Sequence, residues 1–326
     1  MTPVPQTCAD GRLRHLLTLD GLPAATIVDL LDRAQARAVA AAGGTTLRDR
    51  FAGRTLCTLF FEPSTRTRGS FQLAGTRLGM DVLAFDASTS STTKGETALD
   101  TLQTLEAMGV DVFAIRHAGD GAVAELAAAA APGTRVINAG SGRAAHPTQG
   151  LLDMLTIRQE KGADFGRLRV LIAGDVRHSR VARSDLHALR ALGCGEIRVC
   201  GPAALLPDAD ELAGCRVFAD FDDAVAGADV VMMLRVQRER MEEGLVPSLD
   251  AYFRDYGLTA ERLARAAPDA IVMHPGPMNR GVEIDSAVAD LAGRSIVTEQ
   301  VEMGVAIRMA CLDVLTRRAR GVEGWA

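Results

Sequence analysis

The chain has 326 residues, 48% of them apolar and 24% charged, enough to bury a large core; a small all-β module and a disordered chain are both excluded, and two domains or one large α/β unit are expected. A formal net charge of −5 argues against a general polyanion binder, because nucleic-acid affinity comes largely from clustered cations meeting phosphates, so any anion chemistry must be local. Cys8, Cys57, Cys194, Cys200, Cys215 and Cys311 are scattered with no C-x-x-C pair, which speaks against a structural zinc site and for reduced thiols. Residues 1–13 lack the apolar run of a signal peptide, and no stretch nears the roughly eighteen apolar residues of a membrane span, so a cytoplasmic protein is expected.

In chain order, a helix at Ile27–Ala42 precedes a strand at Thr55–Phe61 (TLCTLFF). Helix Arg68–Leu78, strand Val82–Phe85, helix Thr97–Met108, strand Val110–Ile115, helix Ala122–Ala131 and strand Arg135–Asn138 follow. Short β-rich apolar runs alternating with longer helical stretches are the pattern of a parallel sheet with crossover helices. The run Gly150–Glu160 begins after a Pro-containing turn and is expected to carry the chain from one sheet to the next. The pattern then returns, with strands at Arg169–Ala173, Ile197–Cys200, Val230–Leu234 and Ala270–His274 and helices at Val181–Leu192, Asp222–Ala226 and Thr259–Ala266. Near the end, Gln300–Arg318 is amphipathic, with Val301, Val305, Ile307, Met309, Leu312 and Leu315 apolar. The expectation is an α/β protein of two doubly wound parallel-sheet domains: residues 1–148 with a returning helix at about 300–326, and residues 149–299.

Directly after TLCTLFF the chain reads Glu62-Pro63-Ser64-Thr65-Arg66-Thr67-Arg68-Gly69-Ser70, and then a helical pattern. A helix N-terminus leaves backbone N–H groups unpaired and carries partial positive charge, so adding hydroxyls and a guanidinium makes a phosphate cradle. The competing reading is an ordinary N-cap, since Ser and Thr favour that position. The usual nucleotide fingerprints are missing: there is no G-x-x-x-x-G-K-[ST], and the turn after Arg169–Ala173 reads Gly174-Asp175-Val176-Arg177-His178, without the glycines of G-x-G-x-x-G. A small phosphorylated metabolite therefore suits the chain better than ATP or NAD.

Four segments, STRTR at Ser64–Arg68, HPTQ at His146–Gln149, LRVQRER at Leu234–Arg240 and HPGPMNRG at His274–Gly281, together resemble the carbamoyltransferase family, and within it the aspartate carbamoyltransferase catalytic chains. STRTR and HPTQ are shared with the ornithine branch. Three places choose between the branches. Ser90-Ser91-Thr92-Thr93-Lys94 is similar to the aspartate branch's loop that reaches into a neighbouring subunit's site, and Lys94 is one of only two lysines among 36 basic residues. Arg235-Val236-Gln237 matches the pair that holds aspartate. The late loop reads His274-Pro275-Gly276-Pro277, where ornithine enzymes resemble His-Cys-Leu-Pro.

The resemblance implies transfer of the carbamoyl group of carbamoyl phosphate to the amine of L-aspartate, the committed step of pyrimidine (UMP) synthesis, with no cofactor or metal. It assigns the phosphate to Ser64, Thr65, Arg66 and Thr67 with Arg116 and, across a subunit boundary, Ser90 and Lys94. Arg66, Thr67, Arg116 and His146 form the catalytic set; Thr67, Arg116 and a neutral His146 donate to the carbonyl oxygen as it becomes an oxyanion, and Gln149 reads the carbamoyl amide. Aspartate's carboxylates fall to Arg180 and Arg235, with Gln237 and Lys94 assisting and Gly276-Pro277 lining the pocket; planar guanidinium forks suit carboxylates. Glu62 resembles the family's domain-closure glutamate, paired with Arg180 and Arg240. His274 is expected to order its loop, and His15, His117, His178 and His187 to be structural.

Shared sites imply a homotrimer, with a larger assembly through regulatory or dihydroorotase-like chains left open. Two rivals remain: a carbamoyltransferase for ornithine or a related amine, against which Lys94 and Arg235 speak, and a catalytically silent homologue acting as scaffold or sensor. Neither nucleic acid nor membrane is an expected partner.

Overall fold

The computed structural model describes residues 6–8, 10–42, 47–86, 95–236 and 248–316. The chain divides into two compact units, Met1–Leu155 with Glu302–Ala326, and Thr156–Val301. Each is built on one all-parallel sheet.

In the first unit, helix α1 (Ala24–Ala42) leads to β1 (Thr55–Phe60), α2 (Thr65–Arg77), β2 (Asp81–Asp86), α3 (Ala98–Ala107), β3 (Val112–His117), α4 (Ala122–Ala129), β4 (Arg135–Ser141) and α5 (Pro147–Lys161). The strand order β2-β1-β3-β4 puts the chain's reversal between β1 and β3. Leu56–Phe60 are buried without a break, as a strand covered on both faces requires. Alternate residues of these strands, Cys57 and Leu59 with Phe113 and Ile115, pack against Leu102 and Leu105 of α3 and Val123 and Leu126 of α4. Helix α3 starts at a capping box: Thr97 accepts from the Asp100 N–H while Asp100 accepts from the Thr97 N–H.

In the second unit, β5 (Arg169–Ala173), α6 (Arg180–Ala191), β6 (Glu196–Cys200), β7 (Cys215–Phe218), α7 (Phe221–Val225), β8 (Val230–Met233), α8 (Leu249–Tyr256), α9 (Ala260–Leu263), β9 (Ile271–Met273) and α10 (Ser286–Ala289) form a sheet of order β7-β6-β5-β8-β9. Here the reversal lies between β5 and β8. Leu171, Ala173, Val231, Met233 and Val272 pack on Phe221, Val225, Leu263 and Val288. The strand β7 and the helices α8 and α10 are additions to the elements expected from sequence.

The unit boundaries fall inside α5 and inside the last helix, α11 (Val297–Thr316). Within the first unit, α11 is tied to α1 and to the segment before β1 by a wholly buried carboxylate: Asp313 meets Arg37 at 2.6 Å, Arg50 at 2.7 Å and Arg33 at 3.8 Å. Among the described residues no helix is long and apolar enough to cross a membrane. The six cysteines are free, and burial pushes the thiols of Cys57 and Cys311 up to about 12.

Candidate active site

In open parallel sheets, ligands gather beyond the carboxyl ends of the strands, where the strand order reverses. In the first unit that place is the end of β1 and β3. Phe60 pairs in register with Arg116, and the Phe61 N–H donates to the Arg116 carbonyl at 2.9 Å. Ser64 occupies the N-cap of α2 in extended conformation, but its hydroxyl makes no capping bond. The cap position expected of a serine is filled, while the first turn lacks the side-chain acceptor that an N-cap supplies. Thr65 and Arg66 are exposed and Thr67 is buried. Ser70 locks that turn by donating to the carbonyls of Arg66 (2.7 Å) and Thr67 (3.0 Å). Arg68, the second arginine of the run, lies over the Phe60 ring at 5.4 Å.

His146 reaches the same place from β4. Gly142, just past the strand, has φ +44°, and a Cβ there would sit 2.1 Å from Asp120 Oδ1, so the tight approach of the two loops requires glycine. Ser141 donates to the carbonyls of Gly119 and Asp120, both at 2.8 Å, pinning the loop after β4 to the loop after β3. The buried His146, just before α5, then stands with Nε2 3.5 Å from Thr67 Oγ1, at the long end of hydrogen bonding. Arg116 is braced on two sides: Nη1 donates to the Ala139 carbonyl at 3.3 Å, and Nε lies 3.3 Å from Glu62 Oε2. Gln149, on the first turn of α5, donates through Nε2 to both oxygens of Asp153. The pairing of Glu62 with Arg116 and of Gln149 with Asp153 was missed in sequence, although the i, i+4 spacing of the second pair on a helix was available.

In the second unit Arg180, Arg235 and Gly276-Pro277 all follow the carboxyl ends of neighbouring strands. Gly174 closes β5 with φ +126°, and a Cβ there would meet the Leu234 carbonyl at 2.8 Å. The Leu234 N–H donates to the Ala173 carbonyl at 2.8 Å, so Arg235 begins where β8 is still held to β5. Asp175 accepts from the backbone N–H of His178 at 3.3 Å and faces its ring Nδ1 at 2.7 Å, and the Ser179 hydroxyl caps α6 by accepting from the Ala182 N–H. Half-buried Arg180 is the first residue of that helix, and Arg235 is exposed. His274 Nδ1 accepts from the Gly276 N–H at 2.8 Å; Nε2 therefore carries the proton that it donates to buried Glu283 at 3.1 Å. Glu283 also accepts from the Asn279 N–H, and Asn279 Nδ2 donates to the Val236 carbonyl at 2.9 Å. His274 thus orders its loop. Ser90, Lys94, Gln237 and Arg240 lie outside the described residues. Among the described residues no group of three or more His, Cys, Asp or Glu is placed to hold a metal ion.

Residues 14–159 match the family model described as the aspartate/ornithine carbamoyltransferase carbamoyl-P binding domain, and residues 167–315 match its Asp/Orn binding domain. The chain belongs to the aspartate/ornithine carbamoyltransferase family. Within that family, fold does not separate the two branches. Ornithine carbamoyltransferase from Pyrococcus furiosus superposes with a TM-score of 0.84 at 30% identity, covering 95% of this chain and 98% of its own. Aspartate transcarbamoylase from Trypanosoma cruzi, solved with carbamoyl phosphate, gives 0.82 at 31% identity, covering 94% and 97%. Sequence does separate them: the aspartate carbamoyltransferase catalytic subunit of Xanthomonas campestris pv. campestris is 68% identical over 310 residues, 95% of this chain and 98% of its own.

Proposed function

We propose that this chain is the catalytic subunit of an aspartate carbamoyltransferase. The neutral amine of L-aspartate attacks the carbonyl carbon of carbamoyl phosphate; a C–N bond forms, the C–O bond to phosphate breaks, and the departing phosphate carries off the amine proton. The products are N-carbamoyl-L-aspartate and inorganic phosphate. The substrate arrives activated by its leaving group, so the protein needs neither nucleophile nor metal: it positions two anions and stabilises an oxyanion.

The open N-terminus of α2, with Ser64, Thr65, Arg66 and Thr67, takes the phosphate. Thr67, Arg116 and His146 donate to the carbonyl oxygen, each worth roughly 3 kcal/mol of transition-state stabilisation. Gln149 takes the carbamoyl amide. Arg180 and Arg235, with Gln237, take aspartate's carboxylates, and Gly276-Pro277 lines that pocket. Ser90 and Lys94 serve a neighbouring chain's site in a homotrimer, Glu62 and Arg240 act in the closed state, and the enzyme works in the cytoplasm. The observation that supports the reading above all is the meeting of Thr67 and His146 from separate elements where the strand order of the first sheet reverses, beside Arg116 on β3. Colorimetric detection of the carbamoylated product with purified protein, run in parallel on aspartate and ornithine, tests it. Product from aspartate alone is expected; product from ornithine alone, or none, overturns it.

A further inference from the structure

Gln149 is held through the Nε2 end of its side-chain amide. Its Nε2 donates to Asp153 Oδ1 at 3.1 Å and Oδ2 at 3.2 Å, one turn further along α5, and Asp153 is wholly buried. A carboxylate only accepts, so the end facing it is the NH2, and the opposite end of the amide is the acceptor Oε1. A buried cation stands near that carboxylate: Arg308 of α11 feels its charge, donates to the Gly304 carbonyl at 3.0 Å and lies over the Phe71 ring at 5.1 Å. Burial lowers Arg308 to about 10, with Cys311 and Asp153 opposing, and it remains a cation at neutral pH.

We propose that Asp153 is a positioning residue that sets the acyl-phosphate specificity of the site. By occupying the NH2 of Gln149 it presents Oε1 as a fixed acceptor, which takes an N–H from a carbamoyl group and has nothing to bond in an acyl phosphate carrying a methyl at that place. A site built around one buried polar partner discriminates strongly against an analogue that leaves that partner unpaired. Without the carboxylate the amide is free to turn over and point NH2 at NH2. The proposal rests on the assignment of Gln149 to the carbamoyl amide made above.

The test compares dissociation constants of carbamoyl phosphate, acetyl phosphate and inorganic phosphate for the full chain and its variants. Asp153→Asn keeps the shape of the side chain but can donate to Gln149 Oε1, releasing the NH2 toward substrate. The preference for carbamoyl over acetyl phosphate is expected to fall about tenfold, the effect of one hydrogen bond, while inorganic phosphate binds as before. Adding Gln149→Glu, which accepts at both oxygens, is expected to restore part of the preference. Should Asp153→Asn not fold, Asp153→Ala removes both acceptors from Gln149 Nε2 and gives the same readout. An undiminished preference, or an equal loss for all three ligands, overturns the proposal. A wild-type chain that does not prefer carbamoyl to acetyl phosphate overturns instead the assignment of Gln149 on which it rests.

Discussion

Glu62 Oε2 lies 3.3 Å from Arg116 Nε, so the first acidic residue beyond β1 faces the penultimate residue of the neighbouring strand β3. The carboxylate offsets part of the Arg116 charge, which the proposed function directs at the phosphate, and it also holds the guanidinium in one plane. Glu62→Gln removes the first effect and weakens the second. Carbamoyl phosphate affinity is expected to stay level or rise slightly, while turnover falls about tenfold (~1.4 kcal/mol in the barrier) and aspartate saturation weakens. Steady-state kinetics with each substrate varied in turn check this; unchanged constants count against it.

The contact between Thr67 and His146 carries a different expectation. If both donate to the developing oxyanion, each is used in the transition state and hardly at all in binding phosphate. His146→Ala should lower kcat by about 10²-fold or more and leave the inhibition constant of inorganic phosphate within a small factor. A phosphate affinity that collapses along with kcat would place His146 in the phosphate cradle instead.

Gly174 links the geometry of the second sheet to its chemistry. With φ +126° and the Leu234 carbonyl 2.8 Å from where a Cβ would stand, Gly174→Ala strains the backbone and presses on the residue just before Arg235. A loss of about 2 kcal/mol of stability is expected, with a raised KM for aspartate and an unaltered one for carbamoyl phosphate. Urea unfolding and kinetics on the same preparation measure both.

His15 sets an acid limit to stability. Burial, with help from Arg14 and Arg135, lowers it from 6.5 to about 4, and its Nδ1 accepts from the Val136 N–H at 3.1 Å. The unfolded chain takes up a proton below about pH 6.5 that the folded chain refuses until about pH 4. The stabilisation is therefore complete above pH 6.5 and is lost as pH falls toward 4, on the order of 3 kcal/mol across that window. His15→Asn keeps an acceptor for Val136 and does not titrate. Its stability should fall less steeply between pH 6.5 and 4 than that of the wild type; parallel curves would remove His15 from the account.

The proposal that sites are shared between chains makes a prediction of its own. Lys94→Ala and Arg66→Ala chains, each inactive alone, should regain part of the activity when mixed under subunit exchange, because some hybrid sites then draw both residues from intact copies. No recovery after verified exchange argues for sites complete within one chain.

Much of the fold could be read from the chain because parallel strands covered on both faces are written as near-continuous apolar runs: Val230–Met233 has no polar position and Leu56–Phe60 has only Thr58. Strand β7 escaped for the opposite reason. It is a four-residue edge strand in which Arg216 and Val217 are exposed, so neither length nor burial marks it. Helix α8 carried its signal in Ser248, whose hydroxyl caps it, but followed a stretch with no clear period. The position of STRTR at a helix N-terminus beyond β1 was legible, since a strand entering a helix dictates where those residues stand. The pairings of Glu62 with Arg116 and of Asp153 with Gln149 were not legible, because an acidic residue in sequence does not disclose which cation or amide it will face.

The burial of Asp313 has a consequence for the order of biosynthesis. Arg33, Arg37 and Arg50 leave the ribosome early and the carboxylate that gathers them comes more than two hundred and fifty residues later. Domains tend to fold as they emerge, so the inserted sheet of residues 156–301 can reach its final form while the portion translated first is still waiting for its closing helix. Arg33 has Asp29 on its own helix in the meantime, but Arg37 and Arg50 wait for the buried carboxylate they share, so this junction of the amino-terminal portion closes only once the last helix has been made.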